Sequence, residues 1–82
     1  MHFEKKEYNQ AVRIYDQILE TFPENTSTLK MKAISLSNLE QHKPSLLEFF
    51  KVLEVNPNDV IALNGMGLGF GNLGEYHEAR KY

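Results

Sequence analysis

Residues 26–59, TSTLKMKAISLSNLEQHKPSLLEFFKVLEVNPND, form a 34-residue stretch that is partly repeated on either side. Shifting residues 8–25 forward by 34 positions gives the identities Leu19 with Leu53, Glu20 with Glu54 and Pro23 with Pro57, and matches Tyr15 with Phe49 and Ile18 with Val52. The same shift aligns Leu29 with Leu63, Asn38 with Asn72 and Leu39 with Leu73. A fixed period of roughly 20 to 50 residues indicates stacked repeats, because one such unit cannot bury its apolar face alone.

The apolar residues follow the spacing of α-helices. Steps of three and four residues place them on one stripe in each of three segments: Tyr8, Ala11, Val12, Tyr15, Ile18, Leu19 and Phe22; Leu29, Ala33, Leu36 and Leu39; Leu46, Phe49, Phe50 and Leu53. Proline stops the first and third segments at Pro23 and Pro57. Side chains from Asn25 to Thr28, and Asn58 or Asp59, are predicted to cap the helices that follow.

Residues 60–74, VIALNGMGLGFGNLG, have poor helix propensity. Glycine in a helix interior costs roughly 0.5 to 1 kcal/mol relative to alanine, and the segment has Gly65, Gly67, Gly69 and Gly71. The 34-residue period nevertheless predicts a helix here, stabilised by stacking against its neighbours. We expect this helix to be the least protected against hydrogen exchange.

The pattern resembles the tetratricopeptide repeat family. In that family's frame the small residues at helix crossings are Ala11, Ala33, Ser45, Gly67 and Ala79, and the large residues between helices are Tyr8, Tyr15, Leu29, Leu36, Phe49, Leu63, Phe70 and Tyr76. The resemblance also implies a turn between helices at Gly74. Lys32, where leucine is usual, and His42, where an aromatic residue is usual, depart from the pattern and are expected to weaken packing.

The resemblance implies an all-α fold of antiparallel helix hairpins stacked as a fragment of an α-solenoid. The whole chain, residues 1–82, is then one domain with a partial repeat at 1–25, a complete repeat at 26–59 and a partial repeat at 60–82. Its ends, which fall inside repeats, are compatible with a piece of a longer solenoid.

Composition narrows the possible functions. A net charge of -2 gives no basic surface for nucleic acid, and the absence of cysteine excludes disulfides and thiolate chemistry. No apolar run resembles a signal sequence or the roughly 20 residues of a membrane span. We therefore expect a cytoplasmic protein that binds neither nucleic acid nor membrane.

No set of residues predicts catalysis, a cofactor or a metal. Gly69, Gly71 and Gly74 spell GxGxxG, but no strand-like run precedes them, so a nucleotide-binding enzyme fragment is a remote alternative. His2, His42 and His77 are too far apart in sequence for a local metal pair and are expected to be solvated. We predict that the chain is not an enzyme.

The resemblance implies protein–protein interaction through a concave groove lined by the first helices of the repeats. The predicted groove residues are Lys30, Met31, Ile34, Asn38, Ile61, Asn64, Leu68 and Asn72. Their apolar members form a floor, and asparagine amides can bond a peptide backbone or a helix end. Alternatively, these apolar residues pack against a neighbouring helix or a second copy of the chain, as in a homodimer that completes the helix stack.

One subclass of the family clamps the acidic C-terminal tails of chaperones with Lys, Asn and Arg side chains. Met31 stands at the clamp's asparagine position, and Ile61 and Gly65 stand at basic positions of the following unit. The resemblance therefore predicts an apolar or neutral partner for this groove.

Overall fold

Four α-helices make up the structure, a computed structural model that describes the backbone of residues 5–81 and the side chains of residues 5–74. The helices are α1 (Lys5–Thr21), α2 (Thr26–Asn38), α3 (His42–Val55) and α4 (Val60–Lys81), and no strand occurs within the described residues. The all-α class and the antiparallel hairpin arrangement are confirmed, including the glycine-rich segment as part of α4.

The predicted stops and caps form between α1 and α2 and between α3 and α4. The side chain of Asn25 accepts a hydrogen bond from the Thr28 backbone N–H at 3.0 Å, and that of Asp59 accepts one from the Ala62 N–H at 2.9 Å. Each cap satisfies a backbone donor that the first helical turn leaves without a partner. These two residues, 34 positions apart, therefore begin two parallel first helices in the same way.

The core lies where α2 and α3 cross. α2 packs against α1 and α3, and α4 packs mainly against α3. The buried cluster consists of Leu29, Ala33, Phe49, Val52 and Ala62. At the crossing the Ser45 hydroxyl donates to the Ala33 carbonyl at 2.8 Å, so two small residues allow close approach and a hydrogen bond fixes it.

The turn from α2 to α3 is a Schellman motif with Glu40 in the left-handed region at φ 62°. The Gln41 N–H donates to the Leu36 carbonyl and the Glu40 N–H to the Ser37 carbonyl, each at 2.9 Å. Glycine usually occupies this position, because a side chain there is strained.

The predicted turn at Gly74 does not form. Gly74 stands 34 residues after Glu40, but α4 runs through it to Lys81 and no glycine has positive φ among the described residues. A turn there would break the backbone hydrogen bonds of α4 and would be stable only if the next segment packed back, as α3 does on α2. The seven residues 75–81 remain in α4 instead.

α3 and α4 approach each other closely at Gly65 and Gly69, and not at Gly67 as expected. A Cβ at Gly65 would overlap the ring of Phe49, and one at Gly69 would lie 2.6 Å from a methyl group of Leu46, whereas Gly67 has nothing within 4 Å. Ala33 and Ser45 are buried at a crossing as predicted, but Gly67 is not at one. Tyr76 and Ala79 lie outside the residues whose side chains are described.

Two of the large residues expected between helices are on the surface. Leu63 and Phe70 are 51% and 59% exposed, whereas Leu29 and Leu36, 34 positions earlier, are 2% and 6% exposed. The reason is that α3 covers this face of α2, and no described helix covers it on α4.

Lys32, which was expected to weaken packing, forms an ion network. Its Nζ lies 2.6 Å from Asp16 Oδ1 of α1 and 3.3 Å from Glu48 Oε1 of α3. Burial pulls the Lys32 pKa down, but the hydrogen bonds and charges of Asp16 and Glu48 outweigh it and raise the pKa above its ordinary value. Lys32 therefore joins three helices by charge.

His42 is half-buried, in contrast to the solvated histidine that was expected. Its Nδ1 is buried without a hydrogen-bond partner among the described residues. None of the described helices combines the length and apolar character needed to cross a membrane.

Candidate functional site

A cleft of about 300 Å³ opens between the parallel helices α2 and α4. Its lining combines apolar side chains with short polar ones: Ile34, Ser37, Asn38, Phe49, Ile61, Asn64, Gly65 and Leu68. The volume falls at the lower end of the range for small-ligand sites, which is about 300 to 1,000 Å³. It suits one or two side chains of a partner and not a large cofactor.

The structure brings five of the predicted groove residues to this cleft: Ile34, Asn38, Ile61, Asn64 and Leu68. Ile34 and Ile61 come from opposite walls, and both are exposed together with Leu68. They line the same cleft because each stands next to a buried residue of its helix, Ala33 or Ala62, on the side that faces the neighbouring first helix. Apolar surface that could be buried by a partner is therefore concentrated here.

Lys30 has a structural contact instead of a place in the cleft. Its Nζ lies 2.9 Å from Asp59 Oδ2, and both side chains are largely buried. The hydrogen bond from Lys30, followed by that from the Ala62 backbone N–H, lowers the pKa of the Asp59 carboxyl. This ion pair joins the first turn of α2 to the cap of α4 and so connects the two walls of the cleft at one end.

Met31 and Asn72 are exposed but do not line the cleft. Met31 precedes the cleft on the turn of α2 that carries Lys30, and Asn72 follows it on α4. These two predicted groove residues therefore lie outside the cleft.

Phe49 is the lining residue that sequence reasoning placed elsewhere. It was assigned to the core, where its ring is indeed buried, but the ring also forms the base of the cleft. The sequence does carry a signal for this. Gly65, which the resemblance places at a basic position of the clamp, has no side chain to cover the ring, and the backbone of α4 therefore lies directly against it.

The glycine fingerprint does not have the geometry that binds a dinucleotide. Gly69, Gly71 and Gly74 lie inside α4, and a strand followed by a turn is absent from the described part of the chain. Without that turn no row of free backbone N–H groups is presented to a pyrophosphate. Within the same residues no three His, Asp or Glu side chains are grouped as metal ligands would be.

The described helices form a stack of antiparallel helix hairpins with a cleft between α2 and α4. No protein-family model matches the chain, and no solved structure matches it. Among curated proteins the chain is similar to "Protein STIP1 homolog" of Dictyostelium discoideum, with 29% identity over 79 residues. The match covers 96% of this chain, which spans only 14% of the length of that relative.

Proposed function

We propose that this chain is a tetratricopeptide-type protein-interaction module that binds a partner's segment in the cleft between α2 and α4. The 34-residue period, the confirmed helix hairpins and the likeness to a STIP1 homolog support this class of function. The observation that carries the proposal is the cleft itself, which exposed isoleucine and leucine side chains line together with a buried aromatic ring. The function is binding, without a chemical step.

The lining favours an apolar or neutral segment. Among the described residues, no lysine or arginine lines the cleft, and Lys30, on the same helix as Ile34, is paired with Asp59. A partner carboxylate placed here would lose water without gaining a cation, which is costly. A partner's leucine or isoleucine would instead bury apolar area against Ile34, Ile61 and Leu68, at roughly 25 cal/mol per Å².

The asparagine amides supply orientation. Asn38 on α2 and Asn64 on α4 stand on opposite walls, and both side chains are exposed. Each amide can donate to a carbonyl and accept from an N–H, so the pair matches an extended peptide backbone that lies along the cleft.

The experiment is a binding titration with short fluorescein-labelled peptides followed by fluorescence anisotropy. One peptide is neutral and leucine-rich, one has the same length with an acidic C-terminal tail, and one is a scrambled polar control. We expect the leucine-rich peptide to bind most tightly. Ile34→Asp is expected to weaken its binding by about tenfold or more, since it places a charge on the apolar floor.

Leu47→Asp is the matched control for that variant. Leu47 is an exposed apolar residue of α3 outside the cleft, so the same change in side chain leaves the proposed site intact. Tighter binding of the acidic peptide, or equal losses for Ile34→Asp and Leu47→Asp, contradicts the proposal. Circular dichroism of both variants verifies that helix content is retained.

A further inference from the structure

The α4 wall of the cleft contains an asparagine followed directly by a glycine, Asn64 and Gly65. Asn64 is the one asparagine in the sequence that glycine follows, and the others precede Gln10, Thr26, Leu39, Pro57, Asp59 and Leu73. An asparagine side chain can close a succinimide ring when the backbone nitrogen of the next residue attacks its amide carbon. A side chain on that next residue obstructs the attack, and glycine has none. Asn64 therefore has the sequence neighbour that most favours loss of its amide group.

The structure also leaves the amide of Asn64 able to rotate. At Asn25 the side-chain oxygen accepts hydrogen bonds from the backbone N–H and the hydroxyl of Thr28, at 3.0 and 3.2 Å. At Asn56 it accepts one from the Asn58 N–H at 3.3 Å. The Asn64 side chain is exposed in the cleft and has no such hydrogen bond to any described residue. Its amide carbon can therefore turn toward the Gly65 nitrogen, and water reaches it.

Ring closure requires the helix to open at Asn64, because the helical backbone directs the Gly65 N–H along the axis and away from the side chain that precedes it. α4 is the helix most suited to such opening. It contains Gly65, Gly67, Gly69 and Gly71, each of which lowers helix stability relative to alanine. α2 and α3 contain no glycine. Local opening of α4 is therefore expected to expose the reactive pair without global unfolding.

We propose that Asn64 is a site of spontaneous deamidation, which changes the cleft from neutral to anionic. The Gly65 nitrogen, after losing its proton to hydroxide, forms a bond to Asn64 Cγ. The bond from Cγ to the side-chain nitrogen breaks, and ammonia leaves with a proton from water. Water then opens the succinimide ring at either carbonyl and gives aspartate or isoaspartate. In sum, water is consumed and ammonia is released, so no enzyme, oxidant or reductant is required.

The new carboxylate changes the ligand that the cleft selects, and this step rests on the proposed peptide-binding function. None of the described lining residues is charged, and Lys30 is already paired with Asp59. A leucine side chain packed beside the carboxylate would remove water from it without supplying a cation. A lysine or arginine of a partner would instead form a charged hydrogen bond with it. Deamidation therefore replaces an apolar ligand by a cationic one.

Peptide mapping by mass spectrometry of the wild-type chain, aged in mildly alkaline buffer, tests the modification site. Asn38 is the matched internal control, because it also lines the cleft and is exposed but is followed by Leu39. We expect Asn64 to be converted several-fold faster than Asn38, with both aspartate and isoaspartate among the products. An unchanged Asn64, equal rates at the two asparagines, or aspartate as the sole product overturns the proposal.

Gly65→Ala separates the chemistry from the opening of the helix. The added Cβ obstructs attack by the backbone nitrogen, but it also presses on the ring of Phe49 and so favours opening. We expect the variant to deamidate more slowly than wild type although its packing is weakened. A rate equal to or above that of wild type overturns the proposal. Hydrogen exchange of α4 in both proteins verifies that the variant opens at least as often.

A binding titration tests the consequence for the cleft. Asn64→Asp reproduces the aspartate product, and Asn72→Asp places the same charge on an exposed part of α4 outside the cleft. We expect Asn64→Asp alone to weaken binding of the leucine-rich peptide several-fold and to strengthen binding of an analogue that contains a lysine. Equal effects of the two variants overturn the change of ligand. A wild type that binds no peptide refutes the proposed function and leaves the mass result standing, whereas peptide binding without deamidation refutes the modification site alone.

Discussion

α2 and α4 begin with equivalent caps and have related sequences, but they occupy different environments. α2 is enclosed by α1 and α3, and its apolar stripe is almost free of solvent. Within the part of the chain that the structure describes, α4 packs mainly against α3. The 34-residue period specifies which residues are large and which are small. Whether those residues are buried depends on the helix that packs against them. Comparing α2 with α4 therefore measures how much a helix is stabilised when a second helix packs against it.

The largest difference between the two helices is expected when equivalent leucines are truncated. Leu29→Ala removes a buried side chain from the core and is expected to lower the free energy of unfolding by about 2 to 5 kcal/mol. Leu63→Ala changes an exposed side chain and is expected to cost about 0.5 kcal/mol or less. Urea unfolding at low protein concentration, followed by circular dichroism, measures both. Equal losses would show that α4 is as enclosed as α2.

Glycine-to-alanine substitutions are expected to have opposite signs within α4. Gly65→Ala brings a methyl group against the buried ring of Phe49 and is expected to destabilise the chain by about 1 kcal/mol, after the gain in helix propensity is subtracted. Gly67→Ala enters open space and is expected to stabilise it by about 0.5 to 1 kcal/mol. The comparison is again of urea midpoints. A gain from Gly65→Ala would mean that α3 and α4 are farther apart than described.

A smaller difference in stability is expected at Glu40 and Gly74, which stand 34 residues apart. Glu40 lies in the turn after α2, whereas Gly74 lies inside α4. Glu40→Gly relieves a left-handed residue and is expected to raise the free energy of unfolding by about 1 kcal/mol. Gly74→Ala is expected to add about 0.5 kcal/mol, because Gly74 lies in a helix interior. Thermal unfolding monitors both variants. Destabilisation by Gly74→Ala would indicate a turn at that residue.

The smallest expected effect is the acid dependence of the two caps. The lowered pKa of Asp59 means that its contribution to stability is complete above the unfolded value of about 3.9, and is lost as the pH falls through the folded pKa. Asn25, the equivalent cap of α2, does not titrate. Asp59→Asn is therefore expected to lose less stability than wild type between about pH 7 and pH 3, measured by urea midpoints.

The converse variant serves as the control. Asn25→Asp gives α2 a titrating cap, whose charge at a helix N-terminus is favourable, and is expected to make unfolding more acid-sensitive than in wild type. An unchanged acid profile for both variants would show that neither cap contributes to the pH dependence.

Local sequence signals sufficed for the helix starts and stops. Pro23, Asn25, Pro57 and Asp59 act through backbone geometry and hydrogen bonds a few residues away, so their effect is visible without knowledge of the fold. The glycine-rich helix was predicted only from the 34-residue period, because its local propensity favours no helix at all. Both the periodic and the local signals agree with the all-α structure.

The signals that failed depend on contacts between helices. Glycine is the residue type that a turn prefers, and it stands at position 74, whereas position 40 has glutamate. The turn nevertheless forms at Glu40, because α3 can pack there against a face of α2. Gly67 was expected at a crossing that requires a covering helix, while Gly65 became the close approach because Phe49 faces it. Lys32 was read as a defect, since its two acidic partners lie 16 residues away in each direction.

The ion pair between Lys30 and Asp59 has a consequence for the proposed cleft. It links the start of one wall to the start of the other, and both side chains of the pair are largely buried. Salt screens a pair in such a position much less than it screens an exposed pair. We therefore expect the two walls to keep their spacing as ionic strength changes, so that an uncharged ligand would bind this module with an affinity that varies little with salt.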